Sequence, residues 1–108
     1  MEKEIFNAET LRKNTEKALI VARENLKKEI TDLIITETTE QSSLGYSYVD
    51  VDLTDIFRNL VSDISIKDKK DILLEIEKWL SLKGFKNIEY NVGTLFNNPN
   101  GNFIKISW

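Results

Sequence analysis

Three aspartates lie close together in the segment "DVDLTD" of this chain. Asp50, Asp52 and Asp55 supply carboxylate oxygens at a spacing that can hold magnesium or calcium. A calcium-binding loop also needs a glycine at its sharp turn and a closing bidentate glutamate, and neither follows at the required place. We therefore interpret Asp50 and Asp52 as the solvated face of a strand, and Asp55 as an acid in the first turn of a helix. We predict no metal site, no cofactor and no catalytic carboxylate pair here.

Two tyrosines precede these aspartates in the alternating segment "YSYVDVDL". Alternation in a strand places Tyr46, Tyr48, Asp50 and Asp52 on one face and the valines on the other. Tyrosines that point away from a core offer large, stiff and amphipathic contact area, which suits protein recognition. The alternative is cross-strand packing that only steadies the sheet, for example against Tyr90. The pattern predicts a protein-binding surface and leaves that alternative open.

The loop "GTLFNNPNG" carries a second candidate for protein binding. Leu95 and Phe96 are apolar residues within a stretch rich in asparagine and glycine, and long loops of this kind often bind partners. The same pair can instead fold back onto the core. Both interpretations stay open.

A group of basic residues is the candidate for a phosphate-binding site. Lys67, Lys69 and Lys70 lie at the start of a predicted helix, where backbone N–H groups favour anions, and Arg58 is close in sequence. No glycine-rich phosphate loop accompanies them, so we favour a solvated, charged first turn as the explanation of the lysines. We keep these four residues as an alternative, nucleotide-binding site.

The composition argues against several classes of function. The chain has no histidine and no cysteine, which removes the commonest general base, the thiolate nucleophile and the usual zinc ligands. We predict a protein that is not an enzyme. The net charge is −3, from 18 acidic and 15 basic residues, so the broad basic surface that binds nucleic acid directly is not expected.

Charge is distributed unevenly along the chain, and the N-terminal segment is polar. No basic residue occurs between Lys28 and Arg58, which makes this stretch acidic. The first ten residues, "MEKEIFNAET", lack the apolar run of a signal peptide or a membrane span. We expect a cytoplasmic protein without a membrane partner.

Periodicity and capping signals predict the elements that position these residues. A single apolar stripe at three- and four-residue steps predicts a long helix over about 8–39, with Asn7 as its N-cap. The alternating segment predicts a strand over about 46–53. Two helices follow. The first covers about 55–64, with Thr54 as N-cap. The second covers about 66–83, with Ser65 as its start signal and Gly84 as its stop signal. A hairpin over about 87–108 closes the chain.

This order, α-β-α-α-β-β, predicts a two-layer α+β domain with a three-stranded sheet and helices on one face. In the last strand, Ile104, Ile106 and Trp108 alternate, and we expect all three to reach the core. Burial of the tryptophan ring would contribute roughly 2–3 kcal/mol to folding.

The length of the first helix predicts a dimer. A helix of about 30 residues is roughly 45 Å long, whereas a domain of this size is only about 30–35 Å across for a radius of gyration near 13 Å. The part of the stripe with Leu11, Ala18, Ala22 and Leu26 should therefore overhang the sheet and pair with a second copy. A broken helix in a monomer is the alternative.

The second half of the chain, "ILLEIEKWLSLKGFKNIEYNVGTLFNNPNGNFIKISW", resembles small uncharacterised proteins of bacteriophages. These proteins end in a helix, a glycine–aromatic stop and a hairpin that closes on an isoleucine-rich strand with a terminal tryptophan. The resemblance implies an accessory protein in the host cytosol that counteracts host defence. The resemblance does not assign a function to any individual residue of this chain.

Taken with the acidic, tyrosine-bearing segment, the resemblance leads us to expect stoichiometric capture of a host defence protein. Sequestration of a small nucleotide immune signal is the second possibility. A structural or regulatory phage component is the third.

Overall fold

The computed structural model describes residues 6–60, 62–93 and 101–108. This part of the chain contains three helices and three strands in the predicted order: α1 (Ala8–Ser43), β1 (Tyr48–Asp52), α2 (Thr54–Arg58), α3 (Ile66–Leu82), β2 (Lys86–Asn91) and β3 (Phe103–Ser107). The fold is α+β, with a three-stranded antiparallel open sheet, which confirms the predicted class.

Helix α1 begins where the sequence predicts but ends four residues later than residue 39. The Asn7 side chain accepts a hydrogen bond from the Thr10 backbone N–H at 2.8 Å and so caps the helix. Near the other end, the Thr38 hydroxyl donates to the Ile34 carbonyl at 2.7 Å. This bond gives the hydroxyl a partner within the helix, but back-bonding of this kind does not by itself favour a helix. The helix ends at Ser43, with Leu44 as C-cap and Gly45 directly after it in a left-handed conformation (φ +92°) that favours glycine.

Helix α2 is much shorter than the predicted span of 55–64, and its cap is different. Leu53 occupies the N-cap position without a side-chain hydrogen bond, and Thr54 is already helical. The Asp52 side chain instead accepts a hydrogen bond from the Thr54 backbone N–H at 2.9 Å, next to the start of the helix. The helix ends at Arg58, before Asn59, a residue that disfavours helix interiors. The apolar spacing over 56–64 therefore predicts a longer helix than the chain forms.

Helix α3 and its two ends agree with the sequence prediction. The Ser65 hydroxyl accepts from the Asp68 backbone N–H at 3.1 Å. At the other end, the Phe85 N–H donates to the Leu80 carbonyl and the Gly84 N–H to the Ser81 carbonyl, both at 3.1 Å. These two bonds form the predicted glycine stop, in which Gly84 has a φ of +92°.

The last strand lies in the centre of the sheet, because the strand order is β1-β3-β2. Strand β3 pairs antiparallel with both neighbours, so β1 and β2 run in the same direction without touching each other. The predicted hairpin of β2 and β3 is present. A bulge interrupts it at Asn87, which has a φ of +49°.

One layer of apolar side chains joins the helices to the sheet. Val49, Val51, Ile104 and Ile106 alternate along β1 and β3 and are almost fully buried. They meet the buried positions of the two long helices: Leu26, Ile30 and Ile34 of α1, and Ile72, Leu73, Ile76 and Leu80 of α3. This leaves the other face of the sheet without a covering helix among the described residues.

Trp108 packs at the margin of this core instead of inside it, so its burial is smaller than predicted. Its ring is partly buried and meets Phe85 edge-on, with centroids 6.2 Å apart. Its backbone N–H donates to the Ser47 carbonyl at 2.9 Å and extends the pairing of β3 with β1.

Candidate binding surface

The uncovered side of the sheet brings together side chains from all three strands. Residues opposite each other in an antiparallel pair share a face, so the register assigns the members of this surface. We call it the open sheet face; it consists of Tyr48, Asp50 and Asp52 from β1, Phe103, Lys105 and Ser107 from β3, and Lys86, Glu89 and Asn91 from β2.

The two tyrosines form one aromatic unit at the β1 end of this face. Tyr46 and Tyr48 pack edge to face, with ring centroids 5.9 Å apart and an interplanar angle of 80°. Even so, they stay 50% and 60% exposed. The glycine stop of α1 positions Tyr46, because its N–H donates to the Gln41 carbonyl at 3.0 Å. Contact with Tyr90 is excluded, since Tyr90 lies on the helix-covered side, opposite the buried Ile104.

A row of charges crosses the middle of the open sheet face. Asp50 lies opposite Lys105, and Lys105 lies opposite Glu89 on its other side. The Lys105 ammonium stands over the Phe103 ring at 4.9 Å from its centroid. No ion pair within the described residues includes Asp50, whose side chain is exposed. Its carboxylate therefore remains available to a basic group of a partner.

Asp52 combines a structural role with exposure on the same face. Hydrogen bonds from the hydroxyl and the backbone N–H of Thr54, together with the nearby Arg58, hold the pKa of the Asp52 carboxyl below its ordinary value of 3.8. Asp55 lies in α2 and pairs with Arg58 at 3.9 Å. Within residues 6–60, 62–93 and 101–108, no group of three or more potential ligand side chains could hold a metal ion.

The basic residues of the alternative, nucleotide-binding site line neither the cleft between α1 and α3 nor the cleft beside Phe85 and Trp108. Lys69 stands over the Phe57 ring at 5.2 Å, and Arg58 pairs with Asp55. The backbone N–H of Asp68, which an anion at the start of α3 would need, is already bonded to Ser65. Asp68 itself faces Arg23 at 3.5 Å. Lys67 and Lys70 are exposed.

The two clefts differ in their chemistry. The larger, of about 430 Å³, lies between α1 and α3 and carries four carboxylates against two cations; it is lined by Ile20, Arg23, Glu24, Lys27, Asp68, Asp71, Ile72 and Glu75. The smaller, of about 300 Å³, combines two aromatic rings, one lysine and three hydroxyls; it is lined by Thr38, Thr39, Ser42, Lys83, Gly84, Phe85 and Trp108. Sequence reasoning missed the smaller cleft, because residues far apart in the chain form it.

The predicted dimer residues divide into two groups. Leu11 and Ala18 are exposed on the N-terminal part of α1, as expected. Ala22 is half-buried against the core, and Leu26 is 1% exposed within it. The prediction that Leu26 overhangs is therefore wrong, because α3 and the sheet already cover it. Leu95 and Phe96 lie outside the described residues.

Comparison with known proteins identifies no relative: no protein family, curated protein or solved structure matches the chain significantly. Within the described residues, no helix combines the length and the apolar character needed to cross a lipid bilayer.

Proposed function

We propose that this chain is a non-catalytic binding protein that captures a host defence protein stoichiometrically. One observation carries the proposal: two exposed tyrosines, packed edge to face, lie next to two exposed aspartates at a sheet face that no described helix covers. The resemblance of the second half to small bacteriophage proteins supplies the setting, the host cytosol. The same resemblance also allows a third function, a structural or regulatory role in the phage.

The chemistry of the surface indicates what kind of protein it would capture. Tyr46 and Tyr48 bring rigid amphipathic area that costs little side-chain entropy on binding. Asp50 and Asp52 add negative charge, which favours encounter with a basic surface and disfavours an acidic one. The target is therefore a protein with a basic patch that contains apolar or aromatic contact points.

Affinity purification with mass spectrometry tests this proposal. The tagged chain is purified from host cells with an active defence system, in parallel with the variant Tyr48→Ala with Asp50→Lys. We expect a host protein at a stoichiometric amount with the parent chain and its loss, by at least about tenfold, with the variant, since hot-spot residues at an interface commonly contribute 2 kcal/mol or more.

A matched control separates the surface from general effects of charge. Glu29→Lys with Leu82→Ala makes the same change in charge and also truncates an exposed apolar side chain, but both residues lie on helices away from the open sheet face. This variant should retain the host protein. Equal retention by both variants, or no host protein with the parent chain, would contradict the proposal.

The second candidate function is sequestration of a small nucleotide signal. The smaller cleft favours it, because the Phe85 and Trp108 rings can stack on a base while Lys83 faces a phosphate. The lysines at the start of α3 are less suitable, as Asp68 and Asp71 lie among them. A nucleotide released at one per chain on denaturation, and lost with Lys83→Glu, would favour this function over protein capture.

A further inference from the structure

The outer edge of β1 carries an open row of backbone hydrogen-bonding groups. The Leu53 N–H donates to the Asn102 carbonyl at 2.8 Å, and the Trp108 N–H donates to the Ser47 carbonyl at 2.9 Å. Hydrogen-bonded and non-hydrogen-bonded pairs alternate along an antiparallel ladder. The groups that bond to β3 therefore belong to residues 47, 49, 51 and 53.

It follows that the N–H and C=O groups of Tyr48, Asp50 and Asp52 point away from the sheet. In the described part of the chain, no backbone hydrogen bond outside the sheet uses any of these groups. An edge of this kind is a ready template for another strand. The side chains of the same three residues lie on the open sheet face.

The other edge of the sheet is less suitable. Strand β2 contains the bulge at Asn87, whose left-handed backbone breaks the register between Lys86 and Glu89. Bulges twist an edge and are a common protection against unwanted strand pairing. Strand β1 pairs without interruption over all five of its residues.

We propose that β1 binds its partner by strand addition, and that the partner contributes an extended segment with basic residues at alternate positions. This inference rests on the proposed function and specifies how the host protein is held. Backbone pairing with residues 48, 50 and 52 supplies the register. Lysine or arginine at every second position then lies on the open sheet face beside Asp50 and Asp52, where opposite charges on neighbouring strands attract.

Charge disfavours a second copy of the chain as the added strand. An antiparallel pairing of two β1 strands centred on residue 50 places the Asp50 carboxylates directly opposite each other. Like charges in that position are destabilising, and each edge carries a further aspartate at residue 52. A basic strand removes this repulsion.

Hydrogen exchange of the ¹⁵N-labelled chain, followed by NMR, tests the geometry. The probe is a synthetic peptide in which lysine and valine alternate over nine residues. In the free chain, the amides of Val49, Val51 and Leu53 should be protected, whereas those of Tyr48, Asp50 and Asp52 exchange fast. The peptide should slow exchange of the second set by at least about tenfold. Unchanged exchange of that set at saturating peptide would overturn strand addition.

Peptide chemistry supplies the matched control. N-methylation at the alternate residues whose N–H groups face β1 should weaken binding by about tenfold or more, which corresponds to about 1.4 kcal/mol. N-methylation at the other residues should have a smaller effect. A peptide in which glutamate replaces lysine should not bind. Equal weakening by the two N-methylated peptides, or equal binding of the glutamate peptide, would contradict the proposal.

The outcomes distinguish this inference from the proposed function. If the host protein is captured and lost with Tyr48→Ala and Asp50→Lys, but the amides of Tyr48, Asp50 and Asp52 stay unprotected in its complex, strand addition is wrong and capture stands. If the peptide protects these amides and no host protein is captured, the edge binds as proposed and the function is wrong.

Discussion

At the scale of single residues, Asp52 links the candidate surface to the stability of the fold. Its carboxylate holds the start of α2 through Thr54, and this contact lowers its pKa below 3.8. A group with a lowered pKa stabilises the folded state when it is ionised. Its contribution is therefore complete above about pH 5 and is lost as the pH falls through the lowered pKa. Because the side chain is exposed, solvent reduces the size of this effect.

We expect Asp52→Asn to lower the free energy of unfolding by less than about 1 kcal/mol at neutral pH, since asparagine still offers an oxygen to Thr54 but carries no charge. The difference between the parent chain and the variant should shrink as the pH falls below 3.8 and the Asp52 carboxylate becomes protonated. Urea unfolding followed by circular dichroism at several pH values measures it. Asp50→Asn, at an exposed position without a described ion pair, is the control. A difference in the free energy of unfolding for Asp52→Asn that does not change with pH would refute the role given to the Asp52 charge.

At the scale of elements, β3 is the strand on which the sheet depends. It provides the only partner that β1 and β2 have among the described residues. Ile106 is 2% exposed and lies opposite Val49, and Trp108 joins β3 to Ser47. Removal of the end of β3 therefore disrupts its pairing with both β1 and β2 and exposes the apolar faces of the helices.

Deletion of residues 106–108 should abolish cooperative thermal unfolding. Trp108→Ala alone should retain it, with a loss of about 2 kcal/mol in the free energy of unfolding, because the ring is only partly buried. Circular dichroism and calorimetry follow both variants. A cooperative melt of the truncated chain at the parent temperature would show that β3 is dispensable.

At the scale of the whole molecule, we propose pairing with a second copy on the basis of the elongated shape. The described chain measures 62 × 30 × 19 Å, and its radius of gyration of 17.1 Å exceeds the value of about 13 Å for a compact domain of this size. The excess comes from α1, whose fully buried residues begin only at Leu26. Leu11, Ile20 and Val21 are about half exposed on the projecting part. Two-fold pairing of the projecting helices would cover part of this surface.

We expect a dimer mass by light scattering at tens of micromolar, and a monomer for Leu11→Glu with Ala18→Glu. Lys67→Gln with Lys70→Gln changes the net charge by the same amount at exposed positions of α3, outside the projecting part of α1, and it should stay dimeric. A monomer mass for the parent chain would refute the dimer.

Local signals in the sequence determined most of the elements. The Ser65 cap, the Gly84–Phe85 stop and the alternation around Val49 and Val51 act over a few residues, so a pattern in the chain contains all the information they need. The exposure of Tyr48 and Asp50 followed from the same alternation. At the ends of α1 and α2 the prediction failed: the β-branched residues before residue 39 did not end the first helix, which continues to Ser43, and the apolar spacing after Arg58 did not prolong the second. Local propensity is a weak signal that tertiary context overrides.

Only the tertiary structure decided how these elements combine. Alternation assigns a residue to a face but does not say which strand lies next to which, because pairing depends on contacts between residues far apart in the chain. The central place of β3 therefore decides that β1 is an open edge, and that Asp50 lies beside Lys105. Likewise, helical periodicity placed Leu26 on an apolar stripe, but packing against α3 and the sheet decided that it belongs to the core and Leu11 to the surface.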